Sequence, residues 1–221
     1  IKNIFKPKNI ITFILVFAFI FPFPQFNPIY ELPEAEAENI SKKVIFLTSS
    51  NVGYTWTVPG DWNSARNVIE AIGGGGGGAD SNTSNGSGGG GGGYSASINV
   101  RLAPGTIMTS GANFQVGASG SAGTFFTGAG GDSWFNTTSS ASCATSGPTV
   151  CVSAEGGKGG SGASSATVGT GGAIADGTGV VKFAGGDGGI GNGTDGSGGG
   201  GGSGGPAGSG KNGGTTSSSG G

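Results

Sequence analysis

The chain has 221 residues, a formal net charge of -2, 54 glycines and no histidine. So small a charge excludes capture of nucleic acid or an anionic membrane by the protein's field. The missing imidazole removes the usual base for a Ser or Cys nucleophile. A chain that is one-quarter glycine loses much backbone entropy on folding and has few side chains to bury. It is therefore either disordered or built so that backbones touch backbones. With 33% hydrophobic residues, partly gathered at the N-terminus, the remainder has enough for one thin core. The first residue is Ile1 and the last residues are Gly/Ser-rich, so the sequence reads as a piece of a longer glycine-rich protein.

At the N-terminus, Lys2, Lys6 and Lys8 precede an apolar run over residues 10–23 that is closed by Pro22 and Pro24. Farther on stands Ala35-Glu36-Ala37, an A-x-A pattern. These are the parts of a secretory signal peptide, with cleavage expected after Ala37. The competing reading is an uncleaved N-terminal membrane anchor, because residues 23–37 make a long gap before the cleavage site. Either reading places the rest of the chain outside the cytoplasm.

Beyond the signal, residues 44–48 (VIFLT) form a short apolar strand candidate. Residues 54–58 alternate aromatic or apolar with Thr and stop at Pro59-Gly60, a strand followed by a turn. Residues 67–72 run straight into the first glycine tract. Residues 94–102 place Tyr94, Ala96, Ile98, Val100 and Leu102 on one face and Ser95, Ser97, Asn99 and Arg101 on the other, the cleanest half-buried strand. Shorter strands are expected at 113–117, 133–135, 150–152 and 180–183. No stretch has a sustained helical period.

Glycine tracts occupy 73–78, 88–93, 156–162 and 185–205. One reading is a flexible linker. The other is a three-residue-per-turn extended helix like polyproline II, which glycine allows to pack side by side. Strands anchoring the tracts favour order, whereas the tail after Gly198 has no downstream anchor and is expected to be loose. Cys143 and Cys151 bracket a Gly147-Pro148 turn signal and, in an oxidising compartment, are expected to close a small loop. Two Cys without His make a zinc site a poor fit.

Matches to G-x-G-x-x-G in poly-Gly carry no weight, since no helix follows. Residues 205–212 (GPAGSGKN) fit G-x-x-x-x-G-K but place Asn212 where a magnesium-binding Ser or Thr belongs. Residues 185–196 faintly resemble calcium-binding nonapeptides, but Asp187 and Asp195 miss the required offset. The acids Asp61, Glu70, Asp80, Asp132, Glu155, Asp176, Asp187 and Asp195 are scattered and read as solvated surface. No enzyme, cofactor or metal is expected. The aromatics beside the glycine tracts either form the only available core or offer planar stacking surfaces. For the second role the candidates are Trp62, Tyr94, Phe125, Phe126 and Trp134.

The words TWTVPGDWNSARNVIEAIGGGGGG (55–78), GGGGGGYSASINVRLAPG (88–105), GGDSWFN (130–136), AEGGKGGSGAS (154–164) and VVKFAGGDGG (180–189) stand in this order. The chain thereby resembles the glycine-rich domain proteins of bacteria and their phages, over about residues 54–212. It is more loosely similar to phage tail-fibre adhesins built on polyglycine layers. That resemblance implies a surface-binding module with contact loops on a glycine scaffold. A signal peptide is foreign to a virion part and tilts the expectation toward the bacterial envelope.

The expected fold is mostly β: short antiparallel strands combined with polyglycine II-like layers, and no substantial helix beyond the N-terminal segment. The expected division is a signal or anchor over 1–37, a linker with a first strand over 38–53, a glycine-rich β domain over 54–197 and a Gly/Ser tail over 198–221. The expected function is a secreted or cell-surface structural or adhesive module, with the periplasm or a membrane anchorage as alternatives. Its contact loops would be 79–87, 125–132 and 143–151, and its partner a surface polysaccharide or protein. Self-association is compatible with this reading, nucleic acid is not, and membrane contact is confined to the N-terminal segment. The alternative function is a phage or prophage tail-fibre tip that binds a host receptor. A passive spacer ranks third.

Overall fold

The computed structural model describes residues 42–48, 53–80, 86–124, 127–138, 143, 151–162, 167–191 and 196–216. The chain divides into two compact units, Ile1–Ile45 and Phe46–Gly221. In the first, the described residues 42–45 are exposed and carry no helix or strand. The expected signal segment and its cleavage point after Ala37 lie outside the described residues. No strand forms at 44–48, contrary to expectation: Phe46 is 81% exposed, and no other strand pairs with this run to hold it extended.

The described part of the second unit is all-β and contains no helix. Its strands are β1 (Thr55–Thr57), β2 (Val68–Ile72), β3 (Tyr94–Ile98), β4 (Ile107–Thr109), β5 (Phe114–Gln115), β6 (Ser133–Asn136), β7 (Cys151–Ala154) and β8 (Val181–Phe183). They form three antiparallel sheets ordered β1-β4, β2-β3-β8 and β5-β6-β7. β4 has no counterpart in the sequence reading, because three residues beside a Pro-Gly turn carry too little pattern.

The even alternation read over 94–102 breaks after Ile98. Asn99 takes a left-handed backbone (φ 57°), which Asn tolerates better than most residues. The Asn67 side chain fixes this kink, accepting the Val100 N–H and donating to the Val100 carbonyl, both at 2.9 Å. Val100 thereby swings inward to 1% exposure while Ile98 is left 50% exposed. Ser95 and Ser97 are buried as fully as Tyr94 and Ala96, because β3 is the central strand of its sheet and is covered on both faces. Ser95 donates to the Thr178 carbonyl at 2.9 Å.

The side-chain core gathers Val58, Met108, Phe114 and Phe135, with Trp56, Trp62, Ile69 and Leu102 packed against it. Trp56 meets both Trp62 and Phe135 edge to face at about 6 Å. A smaller cluster of Ala71, Val152 and Ala154 joins it through Ile69.

Glycine-rich segments extend from the strands: 73–80, 86–93, 116–124, 127–132, 155–162, 167–173, 184–191, 196–205 and 208–216. Their main-chain hydrogen bonds recur every third residue, not at the two-residue period of a β ladder. Gly73, Gly76 and Ala79 donate to Gly93, Gly90 and Ser87 at 3.0, 2.8 and 3.0 Å, and Gly74 and Gly77 donate to Gly131 and Gly128, both at 2.9 Å.

Segment 86–93 is buried throughout and lies among five others. It bonds to 73–80, 155–162, 167–173, 184–191 and 196–205. A Cβ on Gly88, Gly90, Gly91 or Gly92 would stand 1.9–2.0 Å from a neighbouring carbonyl oxygen. Main chain occupies the space that side chains fill in an ordinary core.

The expected loose tail is a correction. Gly186 and Gly189 donate to Gly202 and Gly199, and Gly199 and Gly202 donate onward to Gly214 and Lys211. These residues need no strand downstream, because they are held sideways by segments that precede them in sequence. The boundary expected at 197/198 therefore falls inside a bonded pair of segments.

Candidate functional site

Four times the chain leaves a strand as one glycine segment and returns as the next. The excursions are 73–80 with 86–93, 116–124 with 127–132, 155–162 with 167–173, and 184–191 with 196–205. Residues 81–85, 125–126, 163–166 and 192–195, which join the arms, lie outside the described residues. The residues beside these joins meet at one end of the array. Asp80 donates to the Gly123 carbonyl at 2.9 Å, and Gly191 and Gly198 donate to Gly86 at 2.8 and 3.0 Å. The Ser87 hydroxyl lies 2.8 Å from the Ser161 carbonyl and 2.7 Å from that of Thr167, and accepts the Ser161 N–H at 2.8 Å. The Thr127 hydroxyl lies 2.8 and 2.7 Å from the carbonyls of Gly77 and Gly160. All four pairs of arms are thus laced together where their joins begin.

Two of the expected contact loops are shorter than read. Ala79 and Ser87 are hydrogen-bonded to each other, and 127–132 is an arm of the array with Gly128, Gly130 and Gly131 all donating to other segments. Cys143 and Cys151 are buried and joined as a disulfide, with Cα atoms 5.7 Å apart. Trp134 packs on that disulfide.

The proposed stacking aromatics divide. Tyr94 and Trp134 are 3% and 7% exposed, so neither presents a ring face to a ligand. Tyr94 stacks on Phe183 with centroids 6.1 Å apart. Trp62 is half-buried, packs on the side-chain core and donates its indole N–H to the Val100 carbonyl at 3.3 Å. Phe125 and Phe126 lie outside the described residues.

Several acids are not simply solvated surface. Asp132 and Asp187 each close a Gly-Gly-Asp triplet, at 130–132 and 185–187, and each carboxylate accepts an N–H from another segment. Asp132 takes that of Gly156 and Asp187 that of Gly171, both at 2.9 Å. The repeated triplet was the signal in the sequence for this role. Asn212, weighed against a nucleotide motif, accepts the Asp187 N–H at 3.0 Å. Asp195 lies outside the described residues.

Burial pushes the Glu155 carboxyl up, but the Lys158 ammonium that donates to it and the Ala173 N–H outweigh burial and hold it below the usual range. The same contact raises the Lys158 ammonium. Burial first, then the hydrogen bond to the Glu70 carboxylate at 3.0 Å, pushes the Tyr94 hydroxyl up to about 12. Among the described residues no group of three or more His, Cys, Asp or Glu could hold a metal ion. No helix among them is long and apolar enough to cross a membrane. Comparison with protein-family models, with curated proteins and with solved structures returns no match to this chain.

Proposed function

We propose that the glycine segments form polyglycine II-like layers and that the protein is a secreted or cell-surface adhesive module. In it a rigid array displays the four joins at one end. The three-residue hydrogen-bond period supports the first half, since a polyproline II-type helix has three residues per turn. The observation that carries the second half is the convergence of the residues flanking all four joins. Binding normally resides on connections held by a rigid scaffold. The joins read Ser-Asn-Thr-Ser-Asn (81–85), Phe-Phe (125–126), Ala-Ser-Ser-Ala (163–166) and Asn-Gly-Thr-Asp (192–195). That composition, small polar residues together with two aromatics, suits a polysaccharide or a polar protein surface. The chemistry of such a module is non-catalytic.

Two experiments test this reading. Protease shaving of intact cells that express the full-length gene should release peptides from Tyr54 onward, with a mature start at Glu38. Complete protection until lysis would sink the export half. Replacing 81–85 and 192–195 with Gly/Ser runs of equal length should leave the fold intact and abolish binding to the producing cell's surface polysaccharide. Unchanged binding would remove the joins from the function.

A further inference from the structure

We propose that Asn212 is a deamidation site gated by the glycine array: it is silent while segment 208–216 is docked, and its conversion to isoaspartate keeps the segment from docking again. The inference is independent of the adhesive reading above. It starts from the dipeptide Asn212-Gly213. In such a pair the main-chain nitrogen of the second residue attacks the side-chain amide of the first. Glycine favours this as second residue, because no Cβ shields the attacking nitrogen. Asn212 is exposed, so water reaches it.

The reaction needs no reagent besides water. The Gly213 nitrogen bonds to Asn212 Cγ, the Cγ–Nδ2 bond breaks, and the displaced amide leaves as ammonia carrying the Gly213 amide proton. Water then opens the five-membered imide. Opening at Cγ gives an aspartate at position 212. Opening at the main-chain carbonyl gives isoaspartate, in which the chain runs through Cγ.

Both reacting groups are held by one residue of the neighbouring segment. The Gly213 N–H donates to the Asp187 carbonyl at 2.7 Å, and the Asp187 N–H donates to Asn212 Oδ1 at 3.0 Å. Asp187 is itself fixed, since its carboxylate accepts the Gly171 N–H at 2.9 Å. Attack on Cγ requires the Gly213 nitrogen to lose its proton, and so requires its bond to Asp187 to open first. Main-chain bonds on either side resist that opening: Gly210 to Ala184 at 2.9 Å, Thr216 to Ile190 at 3.1 Å, Gly202 to Lys211 at 2.8 Å and Gly199 to Gly214 at 2.9 Å.

The same ladder explains why the change is one-way. Donors at Gly210, Gly213 and Thr216 meet acceptors at Ala184, Asp187 and Ile190, three residues apart on both sides. Isoaspartate adds one carbon to the main chain between residues 212 and 213, so the bonds before and after it no longer fit one register. The packing has no slack to absorb the added carbon. A Cβ on Gly186 or Gly189 would stand 2.1 or 2.0 Å from the carbonyl oxygens of Lys211 and Gly214. With the segment undocked, the N–H groups of Asp187, Gly199 and Gly202 lose their acceptors, and the edge of the array is marked by the age of the molecule.

The test holds the full chain at mildly alkaline pH, folded and in urea, and follows Asn212 by fragmentation mass spectrometry that separates aspartate from isoaspartate. Exchange of the Gly213 amide is measured by NMR on the folded sample. Reaction and exchange both need that N–H released, so folding should slow the two by the same factor. Gly189→Ala, which drives a Cβ against the Gly214 carbonyl, should lift the segment and raise the rate in the folded chain. The equality of the two factors in the unsubstituted chain decides the matter even where this variant does not fold. Chains carrying isoaspartate should lose protection at Gly210 or at Gly213 and Thr216, whereas Asn212→Asp, with an ordinary main chain, should keep it. Deamidation of the folded chain at the urea rate overturns the gate. Isoaspartate chains with all three amides still protected overturn the one-way release. A urea-unfolded chain that leaves Asn212 unconverted overturns the site itself.

Discussion

Around Phe114, Met108, Val58 and Phe135 the interior is filled by side chains, whereas segment 86–93 fills the interior with main chain alone. The two regions are stabilised differently. The first gains by removing apolar area from water. The second has almost no apolar side chain to remove and holds its chains through hydrogen bonds and close Cα–H···O approach. A side-chain core adjusts to a changed methyl group through its rotamers, but an array of backbones has none to adjust.

The largest effect should come from placing a methyl group in the backbone region. Gly90→Ala sets a Cβ 2.0 Å from the Thr170 carbonyl oxygen, with main chain on both sides. We expect a loss above about 4 kcal/mol or failure to fold, followed by urea unfolding. Gly75→Ala, where the nearest atom is 3.8 Å away, should change stability by less than about 0.5 kcal/mol. Equal effects from the two would show that the array is not packed. In the side-chain region Phe114→Ala should cost about 3–5 kcal/mol and leave amide protection of segment 86–93 above that of β5.

Removing the disulfide between Cys143 and Cys151, eight residues apart, should lower stability by about 2.5 kcal/mol in the same denaturant series. Asp187→Ala should cost about 1–2 kcal/mol by leaving the Gly171 N–H without its acceptor, and Asp187→Asn should recover part of that. A further expected effect concerns pH. The Tyr94 hydroxyl titrates higher in the folded chain, at about 12 against 10.0, so the folded state binds the proton more tightly. Its contribution is complete below pH 10 and fades as pH rises toward 12. Tyr94→Phe should flatten that part of the stability profile, and a profile unchanged by the substitution would exclude Tyr94 as its source.

The strands at β1, β2, β6 and β8 were legible because alternation or an aromatic pair stood against a Gly or Pro boundary. β4 and the kink at Asn99 were not, because one depends on a pairing partner far along the chain and the other on the Asn67 side chain. The candidate site was legible only in outline. Joins between glycine tracts could be read as loops, but the meeting of the residues that flank them depends on Ser87, Thr127 and Asp80 contacting segments distant in sequence. Tyr94 and Trp134 were candidates for contact surfaces because they flank glycine, and glycine beside an aromatic ring is as compatible with a covered face as with an open one.

Sequence by itself narrowed the chain to disorder or to backbones meeting backbones, since 54 glycines leave little else to bury. It also holds a record of position that could not be read without the fold. Segment 116–124 bonds to two others and has glycine at every third residue, Gly117, Gly120 and Gly123; segment 155–162 bonds to four and has glycine at two of every three. Segment 86–93 bonds to five and is glycine from 88 to 93. Glycine frequency thus limits how many neighbours a segment admits, because each neighbour excludes a Cβ on the side it approaches. Which segments become those neighbours was decided only by tertiary structure. One N–H accepts any carbonyl as well as another, and the choice among identical tracts falls to the few side chains and strands that fix their register.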